Sequence, residues 1–404
     1  MSKDQLFTGQ PIFSQLLNFI ERSNIARISQ EFESDRYCKK FTTYNHLVTM
    51  LYCIYHNCTS IREVTTGMQA CFLKIKHLGM NYCPRRSTLS DSNKSRSYEV
   101  FEAIYNSLYA SLRQFLPDSR KQAKWYSSLY IADSTTISLF KEILKNAGKN
   151  PINGKRKGGI KVHTLIKADE DVPCVIKMNA AASHDVQFIK NMGLPRGSII
   201  TFDKGYVDYQ QYDLWTQQGV IWITRMRAGA QFKVIQNNPI DDQQYSNGIH
   251  LDQHIILGHT THKNNTRTKA RLILYFDSKK NRTFTFITND YNFKAIEIAN
   301  IYKNRWQIEL LYKRIKQNYP LQYFLGDNEN AIKIQIWCVL IADLLLNIVR
   351  SKLLRKWSAA NLCSMIRIHL MTYIHLLKFL ESPESVLINN YVQANNARGP
   401  TLFD

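Results

Sequence analysis

Two aspartates close apolar, strand-like runs in the middle third of the chain. Asp133 follows residues 129–132, and Asp203 follows residues 199–202. Two carboxylates on neighbouring strands repel each other unless a cation lies between them, so the pattern suits divalent metal ions. Two Mg²⁺ ions roughly 4 Å apart can activate the attacking oxygen of a phosphodiester reaction and stabilise the leaving oxygen. The alternative is that each aspartate caps a turn or a helix, as most strand-end aspartates do.

A third carboxylate, Glu309, lies in a segment with helical periodicity. At 100° per residue, it falls within about 60° of Tyr302, Arg305 and Lys316 on one helix face. This face suits a metal ion bound to DNA, because Glu309 can take the metal while the two basic side chains bind the adjacent phosphates. The alternative is an exposed face with ion pairs such as that of Glu309 with Lys313.

The charge of the chain narrows the class of partner. Its 404 residues include 53 Lys and Arg against 32 Asp and Glu, a net charge of +21 with neutral histidines. The content of 44% hydrophobic and 21% charged residues is that of a globular protein, which excludes a disordered chain. A positive charge of this size favours a polyanion, either nucleic acid or an acidic membrane face.

Two further features argue against a membrane-spanning or exported protein. The longest apolar stretch, residues 337–349, contains Asp343 and Asn347 and is shorter than the roughly 20 residues of a bilayer span, which predicts a buried helix. The N-terminus lacks the basic and apolar regions of a signal peptide. We therefore expect a cytoplasmic protein.

Apolar periodicity divides the chain into helical and extended regions. Helical spacing runs from residue 13 to about 116, and extended runs with two helix-like segments follow from 125 to 224. Short strand-like runs continue to residue 288. Helices then return, one from Phe293 to about Gln317, an apolar one over 332–353 and one over 358–380, before an Asn-rich tail. This alternation predicts an α/β fold.

Two short segments, residues 84–96 and the loop before residue 161, are rich in basic side chains. Such side chains, on a helix face or in a glycine-containing loop, can contact the phosphate backbone of a nucleic acid. The alternatives are a polar turn in the first segment and a solvated loop in the second. The candidate residues are Arg85 and Arg86, then Lys155, Arg156 and Lys157.

The ordered set of motifs resembles one family. The helical segment fits the pattern Y-x2-R-x3-E-x6-K, with fixed positions at Tyr302, Arg305, Glu309 and Lys316. This pattern resembles the signature of bacterial DDE transposases of the insertion-sequence-four family. In that family the second catalytic aspartate is followed by x-Gly-Tyr, as Asp203 is here, and the separations of 70 and 106 residues between the carboxylates also fit. The resemblance covers roughly residues 125–350.

The resemblance implies a ribonuclease-H-like catalytic core with a β-strand insertion, preceded by an all-helical N-terminal domain. It implies that Asp133, Asp203 and Glu309 are the catalytic, metal-binding residues and that they hold two Mg²⁺ ions, which Mn²⁺ can replace. The domains expected are a helical N-terminal DNA-binding domain (1–118), a catalytic domain (119–227 and 289–355), a β-rich insertion (228–288) and a C-terminal helix with a loose tail (356–404).

The function implied is cut-and-paste DNA transposition of an insertion sequence, by hydrolytic nicking at the transposon ends and strand transfer by the freed 3′-hydroxyl. The partners would be double-stranded DNA, as terminal inverted repeats and target, and a second subunit in a homodimer, in the bacterial cytoplasm and at the nucleoid when bound. The DNA-binding residues implied are Tyr302, Arg305, Trp306 and Lys316, with the basic residues above. Two alternatives stay open: a ribonuclease-H-like nuclease without strand transfer, and a non-catalytic DNA-binding relic or regulator.

The resemblance also raises the hypothesis of a DNA hairpin intermediate. Relatives in the family form a hairpin on the transposon end, with a base flipped onto an aromatic residue of the insertion. None of the six tryptophans of this chain lies within residues 228–288. Any aromatic side chain can stack an unpaired base. The candidates in the insertion are Phe232, Tyr245, Tyr275, Phe276, Phe284 and Phe286.

Overall fold

The protein divides into a helical unit and a unit built around a β-sheet. The computed structural model describes residues 9–116, 123–138, 159–180, 186–190, 192–258 and 267–385. The helical unit is Met1–Leu116 with Lys313–Asp404, and the sheet unit is Pro117–Tyr312. The predicted mixed α/β fold, with N-terminal helices and a large sheet, is confirmed.

The apolar periodicity of the first quarter produces six helices. Hydroxyl side chains cap the N-termini of three of them: Thr42 accepts a hydrogen bond from the amide of Asn45 at 3.4 Å, Ser60 from that of Glu63 at 3.2 Å, and Ser97 from that of Glu99 at 3.2 Å. These contacts satisfy amides that the first turn of a helix leaves without partners. The helices are α1 (Ile12–Leu17), α2 (Arg22–Glu31), α3 (Thr43–His56), α4 (Ile61–Ala70), α5 (Arg86–Ser95) and α6 (Tyr98–Leu112).

The first basic segment is the helix α5, so the alternative of a polar turn is wrong. Arg85 and Arg86 are exposed at its N-terminus. Arg96, just after its C-terminus, is buried and donates to Asp35 at 3.2 Å. The two exposed arginines therefore remain available to a partner, whereas Arg96 stabilises the core of the helical unit.

Nine strands of the sheet unit form one sheet. They are β1 (Leu129–Ser138), β2 (Gly159–Lys167), β3 (Pro173–Ala180), β4 (Ile199–Phe202), β5 (Ile221–Arg225), β6 (Phe232–Asn237), β7 (Ile249–Leu257), β8 (Thr268–Asp277) and β9 (Arg282–Thr288). Their order is β3-β2-β1-β4-β5-β9-β8-β7-β6. Short helices α7 (Val186–Ile189), α8 (Tyr209–Gln217) and α9 (Asp242–Ser246) connect strands. The predicted strands of both the core and the insertion are confirmed.

Three parallel strands, β1, β4 and β5, lie in the middle of the sheet. Ala132 lies opposite Phe202, and Thr201 lies opposite Ile223. All four residues of β4 are buried, as expected of a parallel strand covered on both faces. Helix α8 covers one face, where the ring of Tyr212 stacks on that of Trp222 with centroids 4.6 Å apart. This core fixes the register of the strands that carry the two aspartates.

The β-rich insertion continues the same sheet. Strand β9 pairs with β5, with Thr288 opposite Ile223. The side chain of Asn289 closes this junction, because it accepts from the amide of Trp222 and donates to the carbonyl of Val220, each at 2.9 Å. The insertion is therefore held directly against the parallel strands.

The long helix predicted after Phe293 is broken before Glu309. Its two pieces are α10 (Ala295–Lys303) and α11 (Trp306–Asn318). At the break the backbone hydrogen bonds tighten to a three-residue spacing, and the amide of Arg305 donates to the carbonyl of Tyr302 at 3.0 Å. The prediction of one continuous helix is therefore wrong: Tyr302 precedes the break, whereas Glu309 and Lys316 follow it on α11.

The apolar helix predicted in the last quarter is α12 (Glu329–Ser351), and it is buried as predicted. It is long and apolar enough to cross a membrane, alone among the helices of the described residues, but its most apolar window is entirely buried within the protein. Its one buried carboxylate, Asp343, accepts from Arg314 at 2.8 Å. This pairing explains how an acid is tolerated in an apolar helix.

The last predicted helix is also two helices, α13 (Ala359–His369) and α14 (Leu376–Glu381). A single helix is excluded because the carbonyls of Leu370 and Thr372 accept from the amides of Phe13 and Ile12, at 2.8 and 2.9 Å. The predicted loose tail, residues 389–404, lies outside the described residues.

Candidate active site

Three neighbouring strands place charged side chains in one row. The parallel register of β1, β4 and β5 puts Asp133 beside Asp203, and Asp203 beside Arg225. The prediction that Asp133 ends its strand is wrong. Strand β1 runs on to Ser138, because its second half continues to pair with β2. The row instead lies where β4 and β5 end.

Two arginines hold the three predicted carboxylates. Arg305 donates from Nη1 to Asp133 Oδ2 at 2.8 Å and from Nη2 to Glu309 Oε1 at 2.5 Å. Arg225 donates from Nη2 to Asp203 Oδ1 at 2.5 Å. The structure thus brings together the three acidic residues that the sequence singled out, with Arg305 bridging two of them.

Sequence reasoning missed two side chains of this site, Arg225 and Tyr312. The hydroxyl of Tyr312 on α11 donates to the backbone carbonyl of Asp133 at 3.0 Å, which ties the helix of Glu309 to β1. The available signal for Arg225 was its position directly after a predicted strand, since ligand sites in α/β sheets form at the carboxyl ends of strands.

The two aspartates have oppositely shifted pKa values. Burial raises the pKa of Asp133 to about 6, helped by the charges of Asp203 and Glu309 and opposed by the amide of Ser134 and by Arg305. Burial also acts to raise the pKa of Asp203, but the hydrogen bond and charge of Arg225 outweigh it and lower that pKa. Neighbouring carboxyls with different proton affinities are a feature of catalytic sites and of structural ion-pair networks alike.

The donor set has the chemistry of a divalent-metal site, since hard cations such as Mg²⁺ take carboxylate oxygens. Within the described part of the chain, however, no three Asp, Glu, His or Cys side chains stand close enough to hold one ion together. The guanidinium groups of Arg305 and Arg225 lie against the carboxylate oxygens that an ion would need. The oxygen donors therefore fit such an ion by their chemistry, while in this structure they are paired with the two arginines.

Asp133→Asn is expected to stabilise the protein at pH 8 but not near pH 4. The raised pKa means that the folded protein favours a neutral Asp133, and this contribution to stability, full below pH 3.8, is lost as the pH rises through about 6. Asn stays neutral at every pH. We expect its melting temperature to exceed that of the wild type by about 2–5 °C at pH 8. Thermal melts in EDTA across the pH range measure this, with exposed Asp242→Asn as the control. An equal or lower melting temperature at pH 8 contradicts the prediction.

A cleft of about 800 Å³, lined by residues of the insertion and of α10 and α11, lies next to these carboxylates. Aromatic rings form a row along it: Phe284 stacks on Phe286 with centroids 6.0 Å apart, and Phe286 lies 4.9 Å from Tyr302. Trp306 also lines the cleft and is 56% exposed. The cations of the lining are Arg225, Lys280, Arg282, Lys303 and Arg305. Aromatic faces among cations suit unpaired nucleotides.

The predicted DNA-binding residues fall into three groups. Tyr302, Arg305 and Trp306 come together in the cleft, and Lys316 is exposed two turns after Glu309 on α11. Among the insertion aromatics, Tyr275, Phe284 and Phe286 line the cleft, whereas Phe232, Tyr245 and Phe276 do not. The remaining candidates are Arg85 and Arg86, in the helical unit, and Lys155, Arg156 and Lys157, which lie outside the described residues.

Comparison with known proteins gives consistent matches. A profile of the transposase DDE domain matches residues 125–345, and one of a domain of unknown function, DUF4372, matches residues 8–81. The putative transposase y4zB of Sinorhizobium fredii is 29% identical over 266 residues, 66% of this chain and 71% of that protein. A putative transposase for insertion sequence element IS4SA of Synechocystis is 27% identical over 273 residues, 65% and 71% of the two chains. A cryo-EM structure of the piggyBac transposase synaptic complex with hairpin DNA is 11% identical with a TM-score of 0.44, covering 97% of this chain and 84% of that one.

The DDE match spans more than half of the chain and contains Asp133, Asp203 and Glu309. It confirms the predicted function and enzyme class, and it implies DNA as the partner and dependence on a divalent metal ion. The chain therefore belongs to the DDE transposase family, as an enzyme that acts on DNA in transposition.

Proposed function

We propose that this transposase moves an insertion sequence by cut-and-paste, with Asp133, Asp203 and Glu309 as its catalytic and metal-binding residues. The observation that carries the proposal is the convergence of these carboxylates on Arg305 and Arg225 beside a basic, aromatic cleft. Two Mg²⁺ ions, which Mn²⁺ can replace, would supply an activated oxygen nucleophile and stabilise the leaving oxygen. Hydrolytic nicking at the transposon end, with water as the nucleophile, and strand transfer, with the freed 3′-hydroxyl as the nucleophile, would then be displacements of the same type at a phosphodiester.

The residues of the chain itself bind and orient the DNA. Arg305 and Arg225 each lie 5.9 Å from the ring of Tyr302, which places two cations where phosphates of a strand in the cleft would pass. The exposed ring of Trp306 can stack a base, and Lys316 can bind a phosphate further along α11. The basic residues proposed for the flanking duplex, at the transposon ends or the target, are Arg85, Arg86, Lys155, Arg156 and Lys157.

A hairpin intermediate is part of the proposal, with a flipped base held by Phe284. This ring is half-buried on β9, with Phe286 stacked beside it and the guanidinium of Arg282 5.3 Å from its centroid. A base entering the cleft therefore meets an aromatic face next to a cation, which is the combination that single-stranded nucleic acid sites use.

A finer classification is part of the same proposal. The strand order β3-β2-β1-β4-β5, with β1, β4 and β5 parallel and the other two antiparallel, supports a ribonuclease-H-like core. The signature helix supports membership of the insertion-sequence-four family. We further propose a homodimer in the DNA complex, a bacterial cytoplasmic location with nucleoid association, and the four domains bounded at residues 118, 228, 288 and 356.

The test is incubation of the full-length protein with a labelled duplex that carries the ends of its own element, with Mg²⁺ or Mn²⁺ and a target plasmid. We expect nicks at the element ends followed by labelled products joined to the plasmid. Cleavage without joined products would replace the proposal with a nuclease that lacks strand transfer. Binding without cleavage under any metal condition would leave a DNA-binding relic.

A further inference from the structure

Arg225 pairs with one metal-binding carboxylate but belongs to no part of the sequence signature. It ends β5, lies beside Asp203 in the sheet register, and donates to Asp203 Oδ1 at 2.5 Å. We propose that Arg225 is a positioning residue that holds Asp203 until a divalent cation takes over this carboxylate, and that its guanidinium then binds a DNA phosphate in the cleft. This inference rests on the metal-binding role proposed for Asp203.

The guanidinium of Arg225 has unused hydrogen-bonding capacity. Among the described residues, its Nε is buried without any hydrogen-bond partner, while Nη2 is bonded to Asp203. A buried N–H without an acceptor is unfavourable, so an incoming acceptor is favoured at this point. Because Arg225 lines the cleft, a phosphate oxygen of a DNA strand in the cleft can supply the acceptor. A guanidinium group binds phosphate through two parallel hydrogen bonds.

The charges of the site favour such an exchange. Among the described residues, Asp133, Asp203 and Glu309 are paired with two guanidinium groups, and each of these contacts occupies a carboxylate oxygen that a metal ion would bind. A divalent ion carries more charge on a smaller centre than a guanidinium, so it competes effectively for Asp203. Once displaced from Asp203, the positively charged guanidinium of Arg225 can bind the phosphates of DNA that lies beside the metal ion.

Metal titration without DNA tests the competition directly. We expect Arg225→Gln to bind Mn²⁺ at least threefold more tightly than the wild type in isothermal titration calorimetry of the full chain, because the competing cation is gone. Arg225→Lys keeps the charge and should stay near the wild-type affinity. Arg227→Gln, which removes an exposed cation two residues away, should do the same. An affinity of Arg225→Gln that is equal to or weaker than that of the wild type overturns the inference.

DNA binding tests the second half of the exchange. With Mn²⁺ and an uncleavable duplex of the element's end, Arg225→Gln should bind the DNA at least threefold more weakly than the wild type, with a smaller loss in EDTA. An equal loss in both conditions would make Arg225 an ordinary phosphate contact and overturn the exchange. Asp203→Asn separates this from the proposed function: if it binds Mn²⁺ like the wild type, the metal site itself is wrong, whereas a failure confined to the Arg225 variants leaves that site standing.

Discussion

Glu309→Gln is expected to lower DNA cleavage by about 1,000-fold, while binding of the element's ends stays within about threefold of the wild type. The amide keeps the size of the side chain but removes the charge that a divalent ion requires. Arg305 loses one partner and keeps Asp133, so the link between α11 and β1 persists, supported by the hydroxyl of Tyr312. A loss of this size corresponds to about 4 kcal/mol of transition-state stabilisation.

The measurement is cleavage of a labelled transposon end in parallel with a mobility-shift assay on the same duplex. Asp242→Asn is the matched control, because it removes an exposed carboxylate of the insertion from a short helix that does not line the cleft. If Glu309→Gln cleaves at the rate of the control, Glu309 has no catalytic role. If it fails to bind the ends, the substitution has damaged the DNA interface and not only the chemistry.

The elements of the fold could be predicted because each depends on local patterning. Strand β4 is buried at every position, and its sequence combines three apolar residues with the β-branched Thr201. The pairing of β9 with β5 could not be predicted from local patterning. Ile223 and Thr288 are far apart in the sequence, and neither residue type indicates that the two strands are neighbours in the sheet. The sequence therefore indicated a separate insertion where the structure has one sheet.

The break between α10 and α11 also could not be predicted from the local sequence. No Pro or Gly stands near Arg305, and apolar residues continue at helical spacing from Ile301 to Ile308. In the structure Arg305 lies at the break and bridges Asp133 on β1 and Glu309 on α11, so a tertiary ion pair accompanies the break. A long-range contact of this kind leaves no trace in periodicity.

The candidate site was predictable to the extent that it rests on spacing. The three carboxylates were found from apolar runs followed by aspartate and from a helical pattern, and the structure brings them together although Asp133 lies within β1 and not at its end. Arg225 was missed because a single arginine after a strand is ordinarily a solvated charge. Its pairing with Asp203 becomes visible only once β5 is known to lie beside β4.

Phe284→Ala is expected to leave the first nick intact and to lower the yield of hairpin ends by about 10- to 100-fold. Stacking of one base on an aromatic ring contributes roughly 1–3 kcal/mol, which corresponds to that range. The ring is half-buried and lines the cleft, so its removal takes away a platform without emptying the core. Nicking needs only the carboxylates and the duplex, whereas closing a hairpin requires the strand to bend sharply with one base out of its stack.

The yield of hairpins relative to nicked ends, resolved on denaturing gels, measures this partition. Tyr245→Ala is the control, because Tyr245 is an aromatic of the insertion that is 60% exposed but does not line the cleft. Trp306→Ala tests whether the exposed ring of Trp306 on α11, which also lines the cleft, stacks the flipped base instead of Phe284. If Trp306→Ala abolishes hairpins and Phe284→Ala forms them normally, the flipped base stacks on Trp306 of α11, and the insertion lines the cleft without holding the base. Loss with Phe284→Ala alone places the base on β9, where an unbroken sheet connects that strand through β5 to the aspartates.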